Sequence, residues 1–559
     1  MQLRPYQQAA VKAVEAEWRD HRSTLLVLPT GTGKTVTFSE IIRRQFPRRA
    51  LVLAHRQELI DQAAERIRQD TGWRVDVEMA DRRADLSDMF GGPRVVVSSI
   101  QTQASGGDGG GRMTRFDPRL FGVVVVDEGH HGVSASYRKV LNWYTQHDAV
   151  RVLGVTATPD RADEEALGQV YESVAFDYEI ADAIHDGWLV PVRQQVVHVE
   201  GLDFSQCRTT GGDLNGGDLA RVMEYEENLQ RVVAPSVEII GDRRTLVFAA
   251  SVAHAERMCE MFNRHRAGMA AWVCGKTDKD ERKRILGDFK SGAVQVVVNC
   301  AVLTEGFDNP AVEIVVMARP TKSRSLYAQM AGRALRPAEC IAHDLGDHES
   351  PDARRALIDA SEKPSALLVD YVGNSGEHKL CTSADILGGK VSERASELAS
   401  SIMQRKGGPC DPREAINEAQ RLEQLEIERQ IQAEKDEDER LDRMEATARA
   451  KLTARAIYHT QEVNPFDGFD VTPSRVTRFE KQIPRKVRIR LMQQGIDPDG
   501  MSYDQGMKLW RGMVVRWKKS ACSLRQAAIL RKRGLPVIVT RDEASKMLDE
   551  ITRMEGWKK

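Results

Sequence analysis

Two series of short apolar runs set the frame of the chain. Leu25–Leu28, Ala50–Ala54, Val95–Ser98, Gly122–Val126 and Val152–Val155 alternate with stretches in which apolar residues recur at helical spacing. Unbroken Val/Leu runs, as opposed to alternating ones, are what a strand buried on both faces needs. Residues 1–195 are therefore expected to form a parallel sheet covered by helices. Thr245–Phe248, Ala271–Val273, Val294–Asn299, Ile314–Met317 and Ala366–Val369 repeat the layout over 225–388. Between the two lies 196–224, which includes the glycine-rich Thr209–Gly217 and reads as a linker. Ser105–Arg112, with five glycines, reads as a flexible surface loop.

Beyond Gly389 the pattern changes. Residues 411–456 hold strong helix formers and no glycine, which predicts one long helix. Leu422, Leu425, Ile427 and Ile431 give it part of an apolar face, and that face fails across Glu434–Glu439, so a sustained coiled coil is not expected. Val463–Ser474 reads as a linker, making 389–474 a charged helical extension. Within 475–559, Ser523–Gln526 and Thr540–Glu543 are capping-box patterns, each opening a short helix. Gly534 and Pro536 would close the first of these helices, presenting Arg531, Lys532 and Arg533.

Charge sharpens that division. The formal net charge of −1 hides thirteen acidic against six basic residues from Asp411 to Glu445, and twenty-one basic against nine acidic from Arg475 to Lys559. The basic end suggests a polyanion, and the acidic helix or the terminal module could take protein partners. A chain of 559 residues calls for roughly three or four domains. No stretch of about 20 apolar residues predicts a membrane span, and the first residues lack an apolar signal core, so a cytoplasmic protein is expected. Eight cysteines with no Cys-x-x-Cys pair indicate neither a disulfide framework nor a zinc ribbon.

The chemistry begins where the first apolar run ends. Leu25–Leu28 leads into Pro29-Thr30-Gly31-Thr32-Gly33-Lys34-Thr35, a glycine-rich turn followed by a helix. Such a turn gathers backbone N–H groups around a polyphosphate. Lys34 would reach the β- and γ-phosphates and the Thr35 hydroxyl would ligate Mg²⁺. Leu28 stands where the general pattern has its first glycine, so the loop is a variant. Its partner is Phe121–Val126 ending in Asp127-Glu128-Gly129-His130-His131: two carboxylates at the carboxyl edge of a buried strand. Asp127 would hold Mg²⁺, and Glu128 would orient and deprotonate a water.

With these motifs in hand, residues 1 to about 380 resemble the superfamily-two helicases, with Asp-Glu-Gly-His in place of the more usual Asp-Glu-Ala-His. The resemblance implies two tandem RecA-like α/β domains, followed by the long acidic helix and the small basic helical module. It implies ATP as the nucleotide, bound at Thr30–Thr35, and adds Gln7 as a reader of the adenine edge. His55 and Arg56, in Leu51–Leu59, resemble the strand-end loops that grip a nucleic-acid backbone. Thr156 and Thr158 resemble the motif coupling the ATP site to that strand, with His130 beside them. In the second domain Thr304 would face the backbone and Asp308 the ribose. Gln329, Arg333 and Arg336 match the Gln-x-x-Gly-Arg-x-x-Arg motif, whose arginines stabilise a phosphoryl group in flight. More narrowly, Ala301–Asp308 with Arg319–Thr321 is similar to RadD-type and phage-borne helicases of the restriction-type branch. The implied activity is a DNA helicase. A duplex translocase, an RNA helicase and a nucleotide-dependent clamp are the alternatives.

Overall fold

The computed structural model describes residues 3–86, 92–105, 112–157, 167–375, 380–387, 391–456, 482–518, 521–537 and 539–554. They form two compact units, Met1–Glu423 and Gln424–Lys559.

The first unit begins with β1 (Ser23–Val27), β2 (Arg49–Ala54), β3 (Val75–Glu78), β4 (Val95–Ser99), β5 (Phe121–Asp127), β6 (Arg151–Thr156) and β7 (Ser173–Asp177). These make one sheet in the order β3-β4-β2-β5-β6-β1-β7, with every pair parallel. Alternation along the strands divides their side chains between two cores. Leu26, Val52, Val125 and Val155 point to one face, and Leu25, Leu53, Val126 and Val152 to the other. Each such burial contributes roughly 1.5–3 kcal/mol, so both faces demand apolar residues, as the unbroken runs foretold. The register puts Val27 beside Thr156, and Val155 beside Asp127. The loops leaving β1, β5 and β6 therefore emerge together at one edge.

The stretch 196–224 is not a linker. Val192–Asp203 is β8, an edge strand paired in parallel with the last strand of a second sheet. Arg193, His198 and Glu200 are exposed along it, and these polar interruptions hide the strand from a search for apolar runs. A small hairpin (β9, Thr209–Thr210; β10, Asp213–Leu214) and the helix Gly216–Met223 follow. β11 (Thr245–Ala249), β12 (Ala270–Val273), β13 (Val296–Asn299), β14 (Ile314–Ala318) and β15 (Ala366–Asn374) complete the second sheet, in the order β12-β13-β11-β14-β15-β8. The two sheets are the cores of two lobes within one compact unit.

The long helix runs Pro412–Ala456, and the division between units falls inside it. Ala415, Ile416 and Ala419 join the core of the first unit, while Leu422, Leu425, Ile427 and Ile431 are exposed. In the second unit, Ala448 packs with Ile489 and Met492. Both capping boxes form: Ser523 Oγ accepts from Gln526 N, and Thr540 Oγ1 accepts from Glu543 N at 3.3 Å. The acidic and basic stretches meet each other. Arg485 pairs with Asp438, Asp442 and Glu445, and Lys486 Nζ lies 2.7 Å from Glu437. The Val463–Ser474 linker and most of the glycine-rich Ser105–Arg112 lie outside the described residues.

Candidate active site

β1 passes through Leu28 into the turn Pro29–Gly33, and the helix Lys34–Arg44 starts at once. Gly31 (φ +88°) and Gly33 (φ +81°) occupy the left-handed region, which a Cβ would disfavour. Thr32 Oγ1 donates to the Pro29 carbonyl at 2.7 Å and ties the turn. Leu28 is fully buried beneath it. The loop takes its shape from Gly31 and Gly33, so the missing first glycine costs it nothing visible. Gln7 sits against the loop itself. Its Nε2 donates to the Thr32 carbonyl at 3.0 Å and its Oε1 accepts from Arg4 N at 3.0 Å. Both ends of the amide are thus engaged by backbone, and Gln7 braces the phosphate loop while lining the cleft.

Asp127 closes β5, and Glu128 follows with φ +52° and ψ +61°, a left-handed conformation that costs a non-glycine residue free energy. That kink aims the Glu128 carboxylate at Lys34, with Oε1 2.9 Å from Nζ. Burial, then the Glu128 charge, push Asp127 up to about 6. Burial also acts upward on Glu128, but Lys34 and then His130 outweigh it and hold its carboxyl below the usual range. Glu128 Oε2 is buried and makes no hydrogen bond among the described residues. His130 Nδ1 stands 3.2 Å from Thr156 Oγ1 at the end of β6, linking two of the expected coupling residues. Thr158 lies outside the described residues.

The facing wall comes from the second lobe, through the loop after β13 and the turn after the helix Arg324–Ala331. Gly332 lets that turn touch the phosphate loop: a Cβ built there would stand 2.9 Å from Thr30 Cβ. Arg336 lies across Gly31, its Cδ 3.1 Å from where a Cβ would be, and pairs with Asp308. Arg333 is placed differently. Its guanidinium donates to the carbonyls of Phe307, Thr304 (2.7 Å) and Gln329 (3.3 Å), and is buried. The two motif arginines therefore divide: Arg336 reaches the phosphate loop, and Arg333 clamps the 304–307 loop. Gln329 and Thr304 are buried and do not line the cleft.

His55 and Arg56, at the end of β2, meet Glu305 from the other lobe at 3.0 and 3.3 Å. Burial acts upward on Glu305, yet the hydrogen bond and charge of His55 bring it down to about 2. Arg56 also donates to the Ala301 carbonyl at 3.2 Å, Gln62 to that of Gly306 at 2.7 Å, and Arg282 to Glu58 at 2.7 Å. Glu305, His131, Gln62 and Arg282 were not assigned from sequence. Glu305 and His131 carried a signal, since they lie inside Ala301–Asp308 and Asp127–His131. The cleft between the walls measures about 950 Å³ and is lined by Gln7, Thr30–Thr35, Asp127, Glu128, Asp308, Arg333 and Arg336.

This cavity suits a polyphosphate with a divalent cation. The glycine turn supplies a cradle, Lys34 and Arg336 supply positive charge, and the raised Asp127 is a carboxylate short of a cation. Thr35 and Asp127 are the residues that could hold one, with Glu128 Oε2 free to accept a hydrogen bond.

Two parallel-sheet lobes that meet across a glycine-rich strand-to-helix turn define a tandem RecA-like fold. Residues 1–161 match the family model "Type III restriction enzyme, res subunit", and residues 227–338 match "Helicase conserved C-terminal domain". Over both lobes the chain is similar to the superfamily-two helicases of the restriction-type branch. A Saccharomyces cerevisiae protein provisionally named the ATP-dependent helicase IRC3 is 32% identical over 62% of this chain and 50% of its own length. The type I restriction enzyme EcoAI endonuclease subunit of Escherichia coli is 27% identical over 59% of this chain and 43% of its own. A solved fragment from Vibrio vulnificus, provisionally an HsdR subunit of a type I restriction enzyme, has the same fold: TM-score 0.50, 18% identity, covering 68% of this chain and 66% of that one. The chain spans about half the length of the curated relatives it matches. Among the described residues no helix is long and apolar enough to cross a membrane.

Proposed function

We propose that this protein hydrolyses ATP to move along nucleic acid, DNA by preference, and unwinds it. The observation that carries this reading is the shared cleft, with Lys34, Asp127 and Glu128 on one wall and Arg336 on the other. Hydrolysis would then depend on lobe closure, and closure moves one half of a strand-binding surface against the other. In the arrangement described, Lys34 and Glu128 neutralise each other. A triphosphate would draw Lys34 to its β- and γ-oxygens and release Glu128 to orient and deprotonate the attacking water. Arg336 would offset charge on the transferred phosphoryl group, a contribution of ~10³–10⁵ in rate for such arginines. Mg²⁺, held by Thr35 and Asp127, would neutralise charge across the β- and γ-phosphates.

Arg56 lines the cleft close to Glu305 and, with His55, is our candidate for phosphate-backbone contact. Thr304 is buried, which favours a supporting role over a direct one. DNA is preferred because the relatives include a restriction-enzyme subunit and proteins named as DNA helicases. The restriction-type family match over 1–161 also favours a second reading, duplex translocation without unwinding.

The test is ATPase activity with single-stranded DNA, duplex, fork and RNA, followed by strand-displacement and triplex-displacement assays. Stimulation by DNA with fork opening supports the helicase; triplex stripping without fork opening supports the translocase. Lys34→Ala and Glu128→Gln should both abolish turnover, with Glu128→Gln still binding ATP. A basal rate unchanged by any nucleic acid would sink the motor reading.

A further inference from the structure

A second constellation lies beside the phosphate-binding turn and shares only Glu305 with the lining of the cleft. His55 at the end of β2, His131 in the turn after β5, and Glu305 in the loop after β13 each offer one donor atom within 4.8 Å of the other two. We propose that this His–His–Glu cluster is a transition-metal site suited to Zn²⁺, and that an ion bound there fastens the two lobes together and inhibits the motor. The inhibitory half rests on the motor reading above; the metal site does not.

The donor set selects the ion class. Two imidazoles and a carboxylate leaving a fourth position open for water is a recurrent Zn²⁺ arrangement. Mg²⁺ and Ca²⁺ prefer all-oxygen shells, so the ion that accompanies ATP has little reason to compete here. Geometry is near what is needed. Tetrahedral bonds of 2.0–2.1 Å place ligand atoms about 3.4 Å apart, so donor atoms that lie within 4.8 Å of one another would have to draw in by at most about 1.4 Å. His55 and His131 already stack edge-on with ring centres 4.5 Å apart. His55 already turns Nε2 toward Glu305 at 3.0 Å, and His131 Nε2 is buried without a hydrogen-bond partner, a nitrogen that ligation could satisfy. His55 and Arg56 both lie against Glu305 Oε2, at 3.0 and 3.3 Å, so an ion that took this oxygen would shift Arg56 to Oε1, which the carboxylate also offers.

Placement gives the consequence. His55 and His131 ride on the first sheet and Glu305 on the second, so every bound ion bridges the lobes that the motor must separate. Among the described residues no other trio of His, Cys, Asp or Glu comes together in this way.

The experiment uses the full chain and Co²⁺ alone as a spectroscopic probe, without nucleotide or DNA. One equivalent should produce a tetrahedral visible band lacking thiolate-to-cobalt charge transfer. His131→Ala and Glu305→Gln should each weaken binding by more than about tenfold, and a circular-dichroism melt shows which variants are folded. Zn²⁺ should then inhibit wild-type ATPase in excess Mg²⁺, with the inhibiting concentration raised more than about tenfold in His131→Ala. A band with thiolate character, or unchanged affinity in both variants, overturns the site. Cobalt binding without zinc inhibition overturns the fastening role alone.

Discussion

Gly332→Ala isolates the closeness of the two lobes. Gly332 has φ −57° and ψ −19°, a right-handed conformation that alanine adopts freely. Its backbone therefore gives no reason for glycine. An added methyl meets Thr30 Cβ at 2.9 Å, closer than real Cβ atoms approach one another, and the Ala328 carbonyl oxygen of its own helix at 3.0 Å. Thr30 Cβ is fixed to the phosphate-loop backbone and cannot rotate away, so the loop or the turn must retreat. Forcing a methyl into a packed contact costs typically 1–3 kcal/mol. The strain against Thr30 exists only when the lobes are closed, so it lowers the closed-to-open ratio about 5- to 150-fold. The open protein keeps only the approach to the Ala328 carbonyl, and alanine's lower freedom in the unfolded chain offsets part of that loss. Steady-state ATPase at saturating DNA should therefore fall by that factor, while the melting temperature stays within a degree or two. Wild-type turnover in a folded Gly332→Ala protein would mean that catalysis does not need this approach, and the shared-cleft reading would fail with it.

The other expectations separate roles that the motif runs together. Arg336→Ala should lower turnover by at least ~10³ with stability unchanged, whereas Arg333→Ala strands the Thr304 and Phe307 carbonyls and should also destabilise by roughly 1–3 kcal/mol, read by thermal melts; equal melts for the two variants would contradict this division. Asp370 is pushed up to about 7 by burial, although Tyr327 and Gln194 donate to it. A folded value above the ordinary one means that stability is lost as pH rises from about 4 to 7, by up to about 4 kcal/mol. Asp370→Asn should therefore melt progressively higher relative to wild type between pH 5 and pH 8, and a constant difference would refute the assignment. Deleting residues 475–559 should weaken DNA binding more at low salt than at high salt, measured by fluorescence anisotropy. Because Arg485 and Lys486 already face acidic partners, the salt slope should fall by less than the formal charge suggests; unchanged affinity would remove any nucleic-acid role from this module.

The central strands were legible because burial on both faces leaves no polar position to blur the run, as in Val123–Val126. The strands that escaped are those exposed on one side or at an edge: Val75–Glu78, Ser173–Asp177 and Val192–Asp203. β3 carries Asp76 and the buried Glu78, which looks polar until Arg112 and Arg115 fold back to within 3.2 Å of it. Phosphate-site residues were legible for a related reason: local backbone geometry dictates the glycines, and adjacent carboxylates stand out after a buried strand. Their partners across the cleft were less so. No spacing rule distinguishes Arg336, which reaches Gly31, from Arg333, which reaches only carbonyls of its own lobe. The charge segregation was read correctly as a pattern, but its principal meeting in the fold is internal, between the acidic helix and Arg485 and Lys486.

The loop 300–308 ties these observations into one device. From within its own lobe it is held by Arg333, which binds the carbonyls of Thr304 and Phe307. From the other lobe it is gripped through Glu305, by His55 and Arg56, and through the Gly306 carbonyl, by Gln62. Its last residue, Asp308, holds Arg336 over the phosphate loop. A nucleotide that drew Arg336 toward its γ-phosphate would pull against Asp308. A strand that drew Arg56 to its backbone would pull against Glu305. Both ligands thus act on the same nine-residue segment through ion pairs they must loosen, and each would change the other's affinity by way of that loop. Such coupling is reciprocal by thermodynamic necessity, so Glu305→Gln, which weakens the His55–Arg56 grip while leaving the phosphate loop intact, should alter the dependence of ATP affinity on DNA. Measuring ATP affinity with and without DNA in that variant tests the coupling directly: if the ratio of the two affinities matches wild type, the loop does not carry it.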